Sequence, residues 1–202
     1  MRTPAVDARN KIGRHEVTRL TRPAPATSLA VALAGSGGAG VMTAGNMLLE
    51  AAALAGYYAL MTRSSGPQIR GGEAAALLRI ATHPVECMPS SFDLLAAVDW
   101  DNVHRFGAEI PVGASGLVLG DEAEGEPPAV FTAAGAAVSR LPLAVIAKGV
   151  PGGRANMVLL GIVGALLGLP EEALREAVAR TLGKRPAALE PSLAALAAGR
   201  AA

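Results

Sequence analysis

Cysteine occurs once in the 202 residues, at Cys87, which excludes an internal disulfide, a CxxC redox pair and a cysteine-held iron–sulfur cluster within this chain. Any electron carrier it works with belongs to other polypeptides. Aromatic residues are only 3% of the sequence, so the interior must be filled by small aliphatic side chains packed closely between layers, which favours an α/β architecture. The formal net charge is +1, which gives no strong field to draw in nucleic acid or an anionic membrane, so neither is expected as a partner; an anion site would have to be local. The longest apolar run, Met157 to Leu169, is interrupted by three glycines and is too short to span a bilayer. The start of the chain shows no charged segment leading into an apolar stretch and a small-residue cleavage site, so a cytoplasmic location is expected, with a mitochondrial-type leader as the alternative.

A chain of this length accommodates one domain with an appendage, or two small lobes. The single-domain reading is the simpler one, divided into an N-terminal arm over residues 1–26, a body over 27–186 and a tail or linker over 187–202. The arm carries Arg2, Arg9, Lys11, Arg14, Arg19 and Arg22 without apolar periodicity and ends in Pro23-Ala24-Pro25, a pattern of a solvated tail or of a strap laid on a partner. From Leu29 to Ala34 the sequence is uniformly apolar, then reads Gly35-Ser36-Gly37-Gly38-Ala39-Gly40, then helix formers through Ala55 with Gly56 as a stop. This is strand, glycine turn, helix. Met42, Gly45, Leu49 and Ala52 to Ala53 are expected to form the buried stripe of that helix.

Tyr57 to Thr62 reads as a second strand, Arg63 to Gly72 as a loop rich in Ser, Gly and Pro, and Glu73 to Ile80 as a third strand. Further strands are expected at Asp93 to Val98 and Gly116 to Leu119, with Asp121 to Pro128 an acidic surface turn. Leu141 to Lys148 suits either a strand or a short helix. Ala155 to Leu167 is helical in pattern and closed by Gly168; Pro170-Glu171-Glu172 opens another helix, closed by Gly183, and Pro191 to Ala198 is expected as a short last one.

The glycine turn has three competing meanings. Strand, GxGxxG and helix form the dinucleotide-binding pattern, because glycines allow a tight turn and let phosphate approach the first helical N–H groups. Against a nicotinamide nucleotide, the second strand ends in Met61-Thr62-Arg63, where an acid should meet the ribose hydroxyls; an arginine there would instead suit a 2′-phosphate. The third meaning is that the glycines only let the helix pack closely on the sheet.

The run Gly35 to Gly40 followed by Val41, Thr43, Ala44 and Gly45, together with Ser65-Gly66-Pro67-Gln68-Ile69-Arg70-Gly71-Gly72, resembles the gamma component of pyruvate and other 2-oxoacid:ferredoxin oxidoreductases. That family reads GxGGQGV near its start and GPxxRGG after the second strand. Leu77-Leu78-Arg79-Ile80, Asn156-Met157, Leu160-Gly161 and Lys184 extend the resemblance over Ser28 to Arg185. The first motif departs at Ala39, where the family has Gln.

The resemblance implies a three-layer, Rossmann-like domain with a mostly parallel or mixed sheet. It also implies a complex that decarboxylates a 2-oxo acid on thiamine diphosphate, passes electrons through Fe–S clusters to ferredoxin or a similar acceptor, and releases acyl-CoA. With no cysteine set and no GDG…N pattern here, thiamine diphosphate, Mg²⁺ and the Fe–S clusters are expected in alpha, beta and ferredoxin-like delta partners. No catalytic residue, no metal site and no tightly bound cofactor are expected in this chain, only coenzyme A at its surface.

The residues expected to meet coenzyme A are Gly35, Ser36, Gly37, Gly38, Ala39 and Gly40, whose amides can receive phosphate oxygens. With them go Arg63, Ser64, Ser65, Gly66, Pro67, Gln68, Arg70, Gly71 and Gly72, which offer two guanidinium groups and hydroxyls. Arg70 suits a ligand contact or an ion pair at a subunit boundary equally well. His83 and His104 read as surface or turn residues, Trp100 as a buried anchor or interface residue, and Asp99, Asp101 and Glu109 lack metal-site spacing.

Overall fold

A computed structural model describes residues 27–66 and 72–202. The arm expected over residues 1–26 lies outside them, as do Pro67, Gln68, Ile69, Arg70 and Gly71. The first strand, β1 (Ser28–Ser36), is apolar without alternation because both its faces are covered: Ala30 to Ala34 are all buried. Helix α1 (Val41–Leu54) follows the glycine turn and ends at Gly56, whose φ of 83° is the left-handed conformation of a helix stop. Its buried line is Val41, Ala44, Met47, Leu48 and Ala51 beside the expected Gly45 and Ala52, while Met42 and Leu49 are only half-buried and Ala53 is exposed. The stripe is rotated because α1 is wedged between the sheet and α5 (Glu171–Leu182) rather than lying on the sheet alone.

Strand β2 (Tyr58–Ser65) runs longer than its sequence suggests. Arg63, Ser64 and Ser65, expected in a loop, pair with Ala76, Ala75 and Ala74 of β3 (Glu73–Ala81). After it come β4 (Phe92–Ala97), a 3-10 turn at Val103–Ala108, β5 (Val112–Asp121), the four-residue α2 (Ala129–Thr132) and β6 (Ala137–Leu141). The ambiguous segment is both of its alternatives: Leu141 closes β6, and after Pro142 comes α3 (Leu143–Lys148). Three helices complete the described residues, α4 (Ala155–Leu166), α5 and α6 (Pro186–Ala201).

The strands form one sheet in the order β2-β3-β1-β4-β5-β6. β3 runs antiparallel to both neighbours and the remaining pairs are parallel, giving the mostly parallel, mixed sheet of a three-layer α/β domain. One face, through Val31, Leu33, Leu78 and Leu94, packs on α1, α4, α5 and α6. The other, through Ala32, Ala34, Leu77, Phe92 and Leu95, is covered by Val103, Phe106, Ile110 and Phe131 from the 3-10 turn, α2 and their flanks.

Residues 187–202, expected as a tail or linker, belong instead to α6, in which Ala195 and Leu196 are fully buried. α6 crosses α4 at two glycines. A Cβ on Gly161 would strike the Leu196 carbonyl, and one on Gly199 the Val158 carbonyl, so the backbones touch where a side chain would hold them apart. Pro191, expected to begin a short helix, sits inside the longer one, its ring against Gly152. No described helix is long and apolar enough to cross a membrane.

Candidate functional site

With β3 the exception in direction, the carboxyl ends of β1, β2, β4, β5 and β6 share one edge of the sheet with the start of β3. Crevices at that edge are where open α/β sheets take ligands, since loops and helix N-termini converge there. Ser36, the last residue of β1, lies opposite Glu73, the first of β3, and Gly35 lies opposite Ala74. The glycine turn and Gly72, which precedes β3, are thereby brought side by side. The Gly37 N–H donates to the Gly72 carbonyl at 2.6 Å, and a Cβ at Gly37 would lie 2.6 Å from that same oxygen. Glycine is required by this close approach, not by backbone angle.

At the start of β3 lies Glu73, only 2% exposed. Its backbone carbonyl accepts from Gly66 N–H at 2.9 Å, and its carboxylate fills the space where a Gly66 side chain would stand. Arg105, reaching from the 3-10 turn, donates Nη1 to both carboxylate oxygens at 3.3 and 3.4 Å. A hydrogen bond from the residue's own backbone holds the Glu73 carboxyl below the usual range; burial opposes this and the Arg105 guanidinium reinforces it. Glu73 is therefore an anion inside the edge, paired with Arg105 on one side and held against Gly66 on the other.

A second carboxylate determines which donors of the glycine turn are free. Asp99, two residues beyond β4, accepts Ser36 N–H and Ser36 Oγ–H at 2.8 Å each, and Asp101 N–H at 3.2 Å. Ser36, expected to face phosphate, has both donors turned to Asp99. Gly37 N–H is committed to Gly72 and Ala39 N–H to the Ser36 carbonyl at 3.0 Å. Among the described residues this leaves Gly38 and Gly40 N–H without a backbone acceptor, together with the first-turn amides of α1, Val41 to Thr43. Gly38 is exposed, with open space around it.

Charge along the edge points the same way. Burial, with Asp99, Asp121 and Asp101 adding to it, raises the Glu124 carboxyl above its ordinary value. The β4–β5 end is acidic and repels anions, whereas the α1 end is the positive pole of a helix dipole. Asp121, expected in a surface turn, is buried and accepts Ala123 N–H at 3.1 Å and Ala144 N–H, at the start of α3, at 2.7 Å.

The other sequence candidates are spread out. Arg63 projects from β2 to Asn46 of α1 at 3.3 Å, and β2 is separated from β1 by β3. In a dinucleotide fold the second strand adjoins the first and its end reaches the ribose; here the antiparallel insertion moves Arg63 one strand further, which removes the geometry behind the 2′-phosphate reading. Ser64, half-buried, and Ser65, exposed, remain on β2, with Gly66 following. Pro67, Gln68, Arg70 and Gly71 lie outside the described residues.

Sequence reasoning passed over three groups: Asp99, the Glu73–Arg105 pair, and Asn156, whose Nδ2 donates to the Gly40 carbonyl at 3.1 Å and ties the turn to α4. Asp99 carried a signal, an acid two residues past an apolar run. Arg105 carried none, because its partner is 32 residues away.

The family profile described as Pyruvate ferredoxin/flavodoxin oxidoreductase matches residues 30–202. Ketoisovalerate oxidoreductase subunit VorA of Methanothermobacter thermautotrophicus is 30% identical over 173 residues, covering 84% of this chain and 35% of that protein. Among solved structures, 2-oxoglutarate:ferredoxin oxidoreductase from Magnetococcus marinus, with 2-oxoglutarate, coenzyme A and succinyl-CoA bound, superposes with a TM-score of 0.74 at 25% identity, over 87% of this chain and 31% of that one. The gamma subunit of a keto/oxoacid ferredoxin oxidoreductase from Geobacter sulfurreducens PCA superposes with a TM-score of 0.65 at 27% identity, over 85% of this chain and 95% of that one. The chain thus spans about a third of the first two proteins and nearly all of the third.

Proposed function

Because this chain belongs to the pyruvate ferredoxin/flavodoxin oxidoreductase family, we propose that it is the gamma-type subunit of a thiamine diphosphate-dependent 2-oxoacid:acceptor oxidoreductase, presenting part of the coenzyme A path while partner subunits carry out the chemistry. The overall reaction is oxidation of a 2-oxo acid with coenzyme A to acyl-CoA and CO₂, two electrons passing to an acceptor such as ferredoxin. The observation that carries this reading is the 2.6 Å bond from Gly37 N–H to the Gly72 carbonyl, which joins the two family motifs into one surface at the sheet edge.

In this reading the free amides of Gly38 and Gly40 and the start of α1 receive phosphate oxygens of coenzyme A, and Arg70 supplies a guanidinium to the same ligand. Ser36, Gly35, Gly37 and Gly72 shape the surface without donating to the ligand. Thiamine diphosphate, Mg²⁺ and the Fe–S clusters reside in alpha, beta and ferredoxin-like delta partners. The chain alone oxidises nothing.

Reconstitution tests this. The purified chain should give no 2-oxo acid-dependent reduction of a viologen dye, and adding it to the thiamine- and Fe–S-bearing partners should restore acyl-CoA formation. Arg70→Ala in that complex should raise the KM for coenzyme A about tenfold or more with kcat little changed, the pattern of a lost binding contact. An unaltered KM sinks the ligand role of Arg70, and turnover by the isolated chain sinks the subunit reading.

A further inference from the structure

On the helical side of the sheet edge, behind the glycine turn, a cleft of ≈ 160 Å³ opens between α1, the start of α4, the α5–α6 junction and the first half of α6. Its apolar floor includes Met47 and Met157, both buried. Its polar wall is Thr43, Arg154, Asn156, Arg185 and Ser192, and no carboxylate lines it. Among the described residues neither Arg154 nor Arg185 has an ion-pair partner, although Arg105, Arg140, Arg180 and Arg200 all do.

Two features separate this from a chance grouping of surface arginines. Ser192 is only 9% exposed, on the cleft wall, and its hydroxyl has no hydrogen-bond partner among the described residues. Two helix starts also meet at the cleft. Arg154 caps α4 without a side-chain hydrogen bond, and the amides of Ala155 and Asn156 find no acceptor among the described residues; Gly40 caps α1 in the same unsatisfied way. Asn156 binds the Gly40 carbonyl and fixes the two starts relative to each other.

From these we infer that the cleft is a binding site for a phosphoryl group, with Arg154 and Arg185 as its cationic clamp and Ser192 as a buried donor. Gly40 and the start of α1 border both this cleft and the sheet edge, so Arg154, Arg185 and Ser192 are what set this assignment apart from the coenzyme A reading. Two guanidinium groups and a hydroxyl on one cleft suit a phosphoryl dianion, which accepts hydrogen bonds at several oxygens. The volume lies below the roughly 300 Å³ at which pockets enclose a whole small molecule, so the site takes the phosphoryl end of a ligand and leaves the rest outside. The apolar floor excludes a second charged group at its base.

Titration of the full chain with inorganic pyrophosphate at low ionic strength, followed by calorimetry, tests the assignment, with acetate at matched ionic strength as the control. Saturable pyrophosphate binding is expected, weakened at least about tenfold by R154Q/R185Q and about threefold by Ser192→Ala, with acetate inert. Both arginines are exposed, so the double variant should fold, and an unchanged circular dichroism spectrum verifies it. Equal binding by the double variant, or by acetate, overturns the site. Competition by coenzyme A and not by dephospho-coenzyme A would identify the coenzyme's 3′-phosphate as the source. Indifference to both would assign the cleft to another phosphorylated molecule.

Discussion

At the scale of single residues, the sheet edge is governed by which groups are already committed. Asp99 takes both donors of Ser36, so the serine of the glycine run acts as a latch between β1 and the β4 loop, and the anion-accepting capacity moves along to Gly38 and Gly40. Glu73 has a comparable role for the second bend. Its carboxyl is held below the ordinary range in the folded chain, so its contribution to stability is present at neutral pH and is lost as pH falls through the folded value. Glu73→Gln should therefore lower the melting temperature at pH 7, and the difference from the parent should close under acid conditions where the parent's own carboxyl is protonated. Melting curves across that range check it; a gap that stays constant with pH would mean that shape, not charge, is what the residue supplies. The Arg105 end of the pair is 44% exposed, so salt should weaken the effect.

At the scale of elements, the crossing of α4 and α6 brings backbone against backbone and leaves no room for added atoms at Gly161 and Gly199. Gly161→Ala forces a methyl group into the Leu196 carbonyl, backbone against backbone with no flexible side chain to yield, and should destabilise by about 1–3 kcal/mol. Gly38→Ala, with nothing within 4 Å of the new methyl, should stay within about 0.5 kcal/mol of the parent. Urea unfolding of the two variants provides the comparison, and equal losses would show that the helix crossing is looser than drawn. The same helices show what the sequence makes legible. β1, the glycine turn and α1 were readable because an unbroken apolar run followed by glycines permits few other structures, and Gly56 and Gly168 stop helices at left-handed φ angles, as their positions suggest. The antiparallel direction of β3 was not readable, because apolar patterning reports burial and not strand direction. Nor was α6: Pro191 looks like a boundary, yet it falls early in the helix with its ring against Gly152, where packing outweighs the lost hydrogen bond. The two bends were legible as motifs, but their contact was not, since it depends on the β1–β3 register.

At the scale of the whole molecule, the two sides of the sheet are unequally covered, and both its margins are open among the described residues. Helices α1 and α3 to α6 shield one face, whereas a 3-10 turn and the four-residue α2 shield the other. β2 and β6 each have one neighbour. Tyr58 on β2 is 51% exposed and Val138 on β6 44%. Mostly parallel sheets are normally enclosed, because an exposed edge offers unpaired N–H and C=O groups to any other chain. A polypeptide that functions inside an assembly can leave such margins for its neighbours to cover. Hydrogen–deuterium exchange should therefore show the amides of Tyr58–Ser65 and Ala137–Leu141 exchanging faster than those of β1 in the free chain. At least one of the two edges should gain protection when the proposed thiamine- and Fe–S-bearing partners are added, with β1 unchanged because it is central already. Fast exchange at both edges in the assembled complex would mean that its partners dock elsewhere, leaving the loops and helix starts at the carboxyl edge as the contact surface.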